Sequence, residues 1–220
     1  MQTSPWLSPV FSATSQRLLA PPSGLHVHPA DDPRRPEIEA FIQRVFSERF
    51  DAQVSHFAPM LVSMSDPLSG RILAAAGYRT AGEAPLFLEA YLSDPVERLL
   101  SGICGCSIDR AGIVEVGHLA ADQAGEGRRL IFLLGQHLAD EGVQWVVSTL
   151  TEALRQLFVR IGITPLPLGR ADPSRLGTAA AASWGRYYEH EPIVLAGQLP
   201  QALTRLARRE AHQRRTAGAA

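Results

Sequence analysis

The chain of 220 residues is long enough for one substantial core, and its 45% hydrophobic and 20% charged content is that of a soluble globular protein. A formal net charge of −1 gives no electrostatic case for nucleic acid or an anionic membrane as the main partner. The absence of lysine and asparagine excludes Schiff-base chemistry, a lysine-bearing phosphate loop and N-linked glycosylation.

No apolar run reaches the length that spans a bilayer. The first residues lack a basic start followed by an apolar segment, so 1–24 read as a flexible leader and the protein as cytoplasmic. Cys104 and Cys106 stand one residue apart, where a disulfide would be strained. A metal site would need further ligands at matching spacing, and His118 is the only one nearby. The cysteines therefore read as small core or strand residues, with no metal.

In chain order, "GLHVH" is a short strand. In the segment that follows, Ile38, Phe41, Ile42, Val45 and Phe46 recur on one helical face, with Asp31 or Asp32 ahead of Pro33 as the start. "PMLVSMSD" and "RILAAAGYR" meet across "DPLSG" as an antiparallel hairpin. "PLFLEAYL" reads as a strand or a helix start, and "DPVERLLS" as a short helix capped by Asp94. "GIVEVGHLA" is a buried strand leading into a glycine-punctuated loop and a helix marked by Leu130, Leu133, Leu134 and Leu138, ending near Gly142. "VQWVVSTL" is the next buried strand, and "TEALRQLFVRIG" the next helix, with Leu154, Leu157, Phe158 and Ile161 on one face. Strand–helix–strand–helix with short connections predicts a parallel pair. "PIVLAGQL" is a last strand. The tail carries Leu199, Leu203 and Leu206 on one side of a basic helix. This gives a leader over 1–24, one α/β domain over 25–199 and a basic helical tail over 200–220. Within the domain, antiparallel strands come first and a parallel β-α-β core follows.

The chemistry concentrates at the glycine loop. Gly125 and Gly127 bracket Glu126, and Arg128 and Arg129 open the helix. Glycines let a backbone approach closely, helix N-terminal N–H groups attract an anion, and either arginine could meet a pyrophosphate. An ordinary turn fits the same residues.

The order of elements resembles the GCN5-related N-acyltransferase (GNAT) superfamily, whose members hold an acyl-CoA pyrophosphate at this loop. Their Gln/Arg-x-x-Gly-x-Gly/Ala motif is met here by Asp122-Gln123-Ala124-Gly125-Glu126-Gly127, with an acid in place of the amide or base. Many members also carry a general-acid tyrosine where "FVRIGI" has Phe158, which cannot donate a proton. "PLFLEAYL", "IVEVGHLAA", the run from Arg128 to Ile163 and "WGRYYEHEPIVLAGQL" together resemble the bacterial thermostable hemolysin family, itself similar in pattern to acyl-homoserine-lactone synthases. The resemblance runs from about Phe41 to Leu199.

This resemblance implies a GNAT-like mixed sheet and an N-acyltransferase. The acyl group would move from acyl-CoA or an acyl carrier protein to a small-molecule amine or amino acid, with no permanently bound cofactor. It implies Glu115 as general base, the alternative being a strand carboxylate paired with an arginine. His118 would face away from Glu115 on a regular strand and approach the thioester if the strand bulges. Glu89 and Tyr91 would line the acceptor pocket, unless Glu89 pairs with Arg79 or Arg98. Gly125, Gly127, Arg128 and Arg129 would hold the donor. The family name records cell lysis, so a directly lytic protein is one alternative, though the three leucines of the tail support only weak membrane-surface contact. A catalytically inactive binding module that kept the fold is another.

Overall fold

The computed structural model describes residues 24–217; most of the leader expected over 1–24 lies outside the described residues. Seven strands form one sheet in the order β1-β2-β3-β4-β5-β7-β6. They are β1 (Leu25–His28), β2 (Met60–Ser65), β3 (Ile72–Thr80), β4 (Ile113–Ala121), β5 (Trp145–Leu150), β6 (Leu166–Arg170) and β7 (Ile193–Gln198). The helices are α1 (Arg35–Phe50), α2 (Val96–Cys104), α3 (Ala124–Asp140), α4 (Glu152–Arg160), α5 (Thr178–Ser183) and α6 (Leu199–Ala217). The expected hairpin is β2–β3, and the expected parallel pair is β4–β5, with the other neighbours antiparallel.

Alternation along β3 separates the two faces. Ala74, Ala76 and Tyr78 pack with Leu130, Leu134 and Leu138 of α3. Ala75, between them, packs on the opposite face with Ile38, Phe41, Ile42, Val45 and Phe46 of α1. The α1 stripe read from the periodicity is buried in full. The α4 stripe is different: only Ile161, just past the helix, is buried, while Leu154, Leu157 and Phe158 are half-buried and border a cavity.

Three local expectations are corrected. "LFLEAYL" is neither strand nor α-helix but a 3-10 helix, Phe87–Tyr91. Asp94 does not cap α2. Glu89 does, its Oε1 accepting from the Val96 N–H at 3.0 Å, while Asp94 accepts only from the neighbouring Ser93 hydroxyl. Cys104 and Cys106 are free and exposed rather than in the core, because they flank the left-handed Gly105 that ends α2. Among the described residues no group of His, Cys, Asp and Glu is arranged to hold a metal, and no helix is long and apolar enough to cross a membrane.

The sheet is continuous except at its middle. β4 and β5 pair over only three positions, Ile113↔Trp145, Val114↔Val146 and Glu115↔Val147, although both strands run on beyond them. Past Glu115 the two strands part. β4 also carries a bulge: Ala75 faces Ala120 and Gly77 faces Gly117, so His118 and Leu119 together oppose Ala76 alone. α6 follows β7 without a break and lays Leu199 and Leu203 against Gly135 of α3, so its first turns are packed on the domain.

Candidate functional site

A cavity of about 1010 Å³ occupies the gap between β4 and β5. It is lined from both faces of the sheet. Phe46, Trp184 and Tyr187 come from the α1 side, and Leu134, Leu138 and Leu199 from the α3 side. Its size lies at the top of the range usual for small-molecule sites.

Glu115 occupies the last paired position of β4, at the fork. It is buried, with one carboxylate oxygen accepting from the Phe87 N–H at 2.8 Å and the other from the Leu88 N–H at 3.1 Å. Arg79, its cross-strand neighbour, stands 3.5 Å away through Nε. Burial pushes its pKa up against the pull of Arg79 and the two N–H groups. The expected arginine partner is present as Arg79, and the same side chain fastens the 3-10 helix to the sheet and borders the cavity. A carboxylate has about four lone-pair sites, and the two backbone donors leave room for a further proton.

His118 is brought to the same cavity by the bulge. Its backbone is left-handed, at φ 54°, an uncommon conformation for a residue with a side chain. The ring lies against Trp184 (centroids 6.5 Å apart, planes 17° apart) and near Phe57 at 5.6 Å and Phe46 at 6.3 Å. Gly77 makes room for it, since a Cβ there would stand 3.3 Å from His118 Nδ1 and 2.9 Å from Ala58 Cβ. Removal from water, with the charge of Arg79 adding to it, lowers the His118 pKa to about 4, so the ring is neutral at pH 7. Its Nδ1 is buried and has no hydrogen-bond partner among the described residues. Thr149 Oγ1, on β5 across the gap, is buried and unpartnered in the same sense and lines the same cavity. Two such atoms in one cavity are what a polar ligand would satisfy.

Tyr91 lines the cavity and shares a 2.6 Å hydrogen bond between hydroxyls with Tyr188. Burial raises the pKa of both phenols, which keeps them protonated at neutral pH. Glu89 is elsewhere. Neither of the expected partners, Arg79 or Arg98, holds it. Arg110 grips it bidentately at 2.6 and 2.8 Å and also bonds Glu97, while the N–H groups of Leu86 and Val96 occupy the remaining acceptor sites. Burial pushes the Glu89 carboxyl up, but Arg110 and the backbone donors outweigh it and hold the pKa at about 2. Glu89 is not among the residues that line the cavity.

The glycine loop is the first turn of α3. Helix α3 begins at Ala124, so Gly125 and Gly127 are helical, and Arg128 and Arg129 lie just beyond them rather than opening the helix. Neither glycine has positive φ. A Cβ at Gly125 would meet nothing within 4 Å among the described residues, and one at Gly127 only Ala121 Cβ at an ordinary 3.5 Å. Each costs roughly 0.5–1 kcal/mol relative to alanine in a helix. Neither turn geometry nor packing among the described residues calls for them. Gly127 and the preceding Gln123 line the cavity.

Asp122 does not present a bare negative charge. Arg44 Nη2 and Arg71 Nη1 each reach it at 2.7 Å. Arg49, which also lines the cavity, donates to the Ala121 carbonyl at 2.6 Å. Sequence reasoning missed Arg44, Arg49 and Arg71 because their partners lie 51 to 78 positions away.

The fork between β4 and β5, the bulged β4 and the helix-opening glycines define a GNAT-like α/β fold with its cavity at the split. The chain belongs to the thermostable hemolysin family, whose model matches residues 28–203. No curated protein matches it. Among solved structures it is similar to TofI in an apo form, at 18% identity over 82% of this chain and 95% of that one, with a TM-score of 0.56. FeeM, an N-acyl amino acid synthase from uncultured soil microbes, is 11% identical over 82% and 93%, at a TM-score of 0.57. BjaI, a CoA-dependent acyl-homoserine lactone synthase with SAM and isopentyl-CoA, is 16% identical over 85% and 89%, at 0.55. At these identities the likeness is one of fold.

Proposed function

We propose that this protein is an N-acyltransferase that moves an acyl group from a thioester donor, acyl-CoA or an acyl carrier protein, to the amine of a small molecule such as an amino acid. The observation that carries this reading is the cavity at the β4–β5 split, bordered by Glu115, His118 and Tyr91 and reached by the opening turn of α3. The names borne by FeeM and BjaI support it.

In this reading Gly125, Gly127, Arg128 and Arg129 take the phosphate end of the donor, and Arg49 is added to them. The amine attacks the thioester carbon, the C–N bond forms and the C–S bond breaks. The proton released from nitrogen goes to Glu115, directly or through water, which its raised pKa favours. His118 offers an uncharged ring atom to the reacting groups, and holding amine and thioester together in the cavity supplies the orientation. Phe158 cannot protonate the leaving thiolate, which departs unprotonated or takes a proton from a tyrosine, Tyr91 or Tyr187 at the cavity or Tyr188 bonded to Tyr91. Glu89 acts as a positioning residue behind the 3-10 helix. A long-chain N-acyl product would be a detergent, which connects this chemistry with the lysis in the family name.

The test is incubation of purified protein with palmitoyl-CoA or palmitoyl carrier protein and a pool of amino acids, read by mass spectrometry. An N-acyl product dependent on Glu115 supports the reading. Absence of product with both donors, together with no thermal stabilisation by either, sinks it. One observation favours a second reading, a binding module without turnover: Phe158 stands where the superfamily carries its acid. Stabilisation by a thioester without product would select it. Purified protein that lyses red cells with no donor or acceptor would remove the link between product and lysis.

A further inference from the structure

The cavity is chemically two-sided. At the fork stand Glu115, His118, Arg79 and Tyr91. It also reaches the other face of the sheet, where α6 contributes Leu199, Ala202, Leu203 and Leu206, all apolar, beside Leu134 and Leu138 of α3. The half-buried Leu154 and Leu157 of α4 also line the cavity. That accounts for an apolar stripe that found no place in the core.

The approach of α6 is also specific. Gly135 sits in the interior of α3, where glycine is unfavourable, and a Cβ there would touch Leu203 Cδ2 at 3.4 Å and Leu199 Cδ1 at 3.7 Å. Both are ordinary van der Waals distances, so α6 crosses α3 in direct contact at this point and walls off this part of the cavity. The opposite wall comes from α3 itself, through Leu134 and Leu138.

From this we infer that α6 is the end-wall of an acyl-chain arm, and that Ala202, Leu203 and Leu206 set the longest acyl chain the protein accepts. The substrate class is a linear saturated acyl group, because the α6 residues that line this arm, Leu199, Ala202, Leu203 and Leu206, are all aliphatic, as are Leu134 and Leu138 of α3. This inference rests on the reading of the protein as a thioester-dependent acyltransferase for its donor. It does not rest on that reading for the alkyl specificity of the arm.

The experiment measures the affinity of purified full-length protein for straight-chain acyl-CoAs from butanoyl to palmitoyl, and in parallel for the free fatty acids of the same lengths. Trp184 fluorescence reports from the cavity wall. Burial of each added methylene should tighten binding about fourfold until the arm is full, after which affinity levels off. Ala202→Phe should move that break to a shorter chain, and Leu206→Ala to a longer one. Both positions are half-buried, so the variants should fold, which thermal denaturation checks.

A break that stays at one length in both folded variants overturns the inference while leaving the acyltransferase reading intact. Fatty acids that bind with a shifting break, while no acyl-CoA binds, support the end-wall and count against a CoA donor. Failure of both series to bind overturns the inference, and acyl transfer measured separately decides the parent reading. A break that moves in opposite directions in the two variants supports it.

Discussion

Two glutamates, the half-buried Glu89 in the 3-10 helix and the buried Glu115 on β4, mark two differently built regions. Around Glu89, Arg110, Glu97 and the backbone of Leu86 and Val96 close a network. Around Glu115 and His118, a bulge, a left-handed residue and two unpartnered buried atoms, His118 Nδ1 and Thr149 Oγ1, sit on a cavity. Both regions depart from ordinary strand or helix geometry. The difference teaches that a satisfied network fixes structure, while polar atoms kept waiting mark where a ligand completes it.

The sharpest way to break that contrast is Glu115→Gln. It should lower acyl transfer by about 10² to 10⁴-fold, the range expected for a lost proton acceptor, and also cost about 1–3 kcal/mol of stability, since the amide NH2 faces one of the two buried backbone N–H groups that the carboxylate accepted from. Steady-state rates beside thermal melts check it. A large loss of stability with unchanged turnover would assign Glu115 to the Glu89 type.

Arg110→Met should do the reverse. It strands Glu89 and Glu97, and for a pair in which Arg110 is 27% exposed the cost should be about 2 kcal/mol, below that of a fully buried pair. Denaturant titration measures this. Glu89→Gln should move in the same direction and leave the acid limb of the stability curve flatter. Its carboxyl, at about 2 when folded against 4.5 ordinarily, contributes stability above pH 4.5 that is lost as pH falls toward 2.

How much of this was legible in the sequence divides along the same line. The α1 stripe, the β2–β3 hairpin and the β4-α3-β5-α4 order could be read because periodicity and the "DPLSG" turn are local signals. The 3-10 helix at 87–91 could not, since a short apolar run is ambiguous between strand and helix and its cap donors are satisfied by Glu115 from 27 and 28 positions away. The candidate site was legible as residue types. Glu115, His118, Tyr91 and Gly127 do meet at one cavity, while Gly125, Arg128 and Arg129 are not among the residues that line it, nor is Glu89, which Arg110 holds instead. The bulge that carries His118 had one hint, Gly117 inside a strand pattern, and its cause lies on the next strand, where Gly77 leaves space for the ring.

His118→Phe sharpens the comparison by pH. The unfolded histidine takes up a proton below about 6.5 and the folded one only below about 4. Between those values the unfolded state binds more protons, so stability contributed by the neutral ring falls as pH drops through that window. The phenylalanine variant keeps the aromatic packing and should lack this slope, a difference of about 3 kcal/mol between pH 7 and 4. Glu115, with its pKa shifted upward, acts with the opposite sign but is common to both proteins and drops out of the difference.

The smallest effect is the most diagnostic for α3. Gly125→Ala should raise stability by about 0.5 kcal/mol, since the position is helical and open. If the helix opening holds a donor, affinity for acyl-CoA should fall in the same variant. Stability and affinity rising together would return the glycines to an ordinary helix start.

The parting of β4 and β5 has one more consequence. A sheet that splits acquires two additional edges, and strand edges with open N–H and C=O groups are the surfaces through which proteins stick to one another. Here they are turned inward. The Trp184 block covers one mouth, its Gly185 set so close to the end of α1 that a Cβ would lie 2.4 Å from the Phe50 and Asp51 carbonyl oxygens. The C-terminal helix covers the other. Enclosure thus does for these two edges what charge and proline do for edges at a surface: the seam opens onto an internal cavity rather than onto neighbouring molecules.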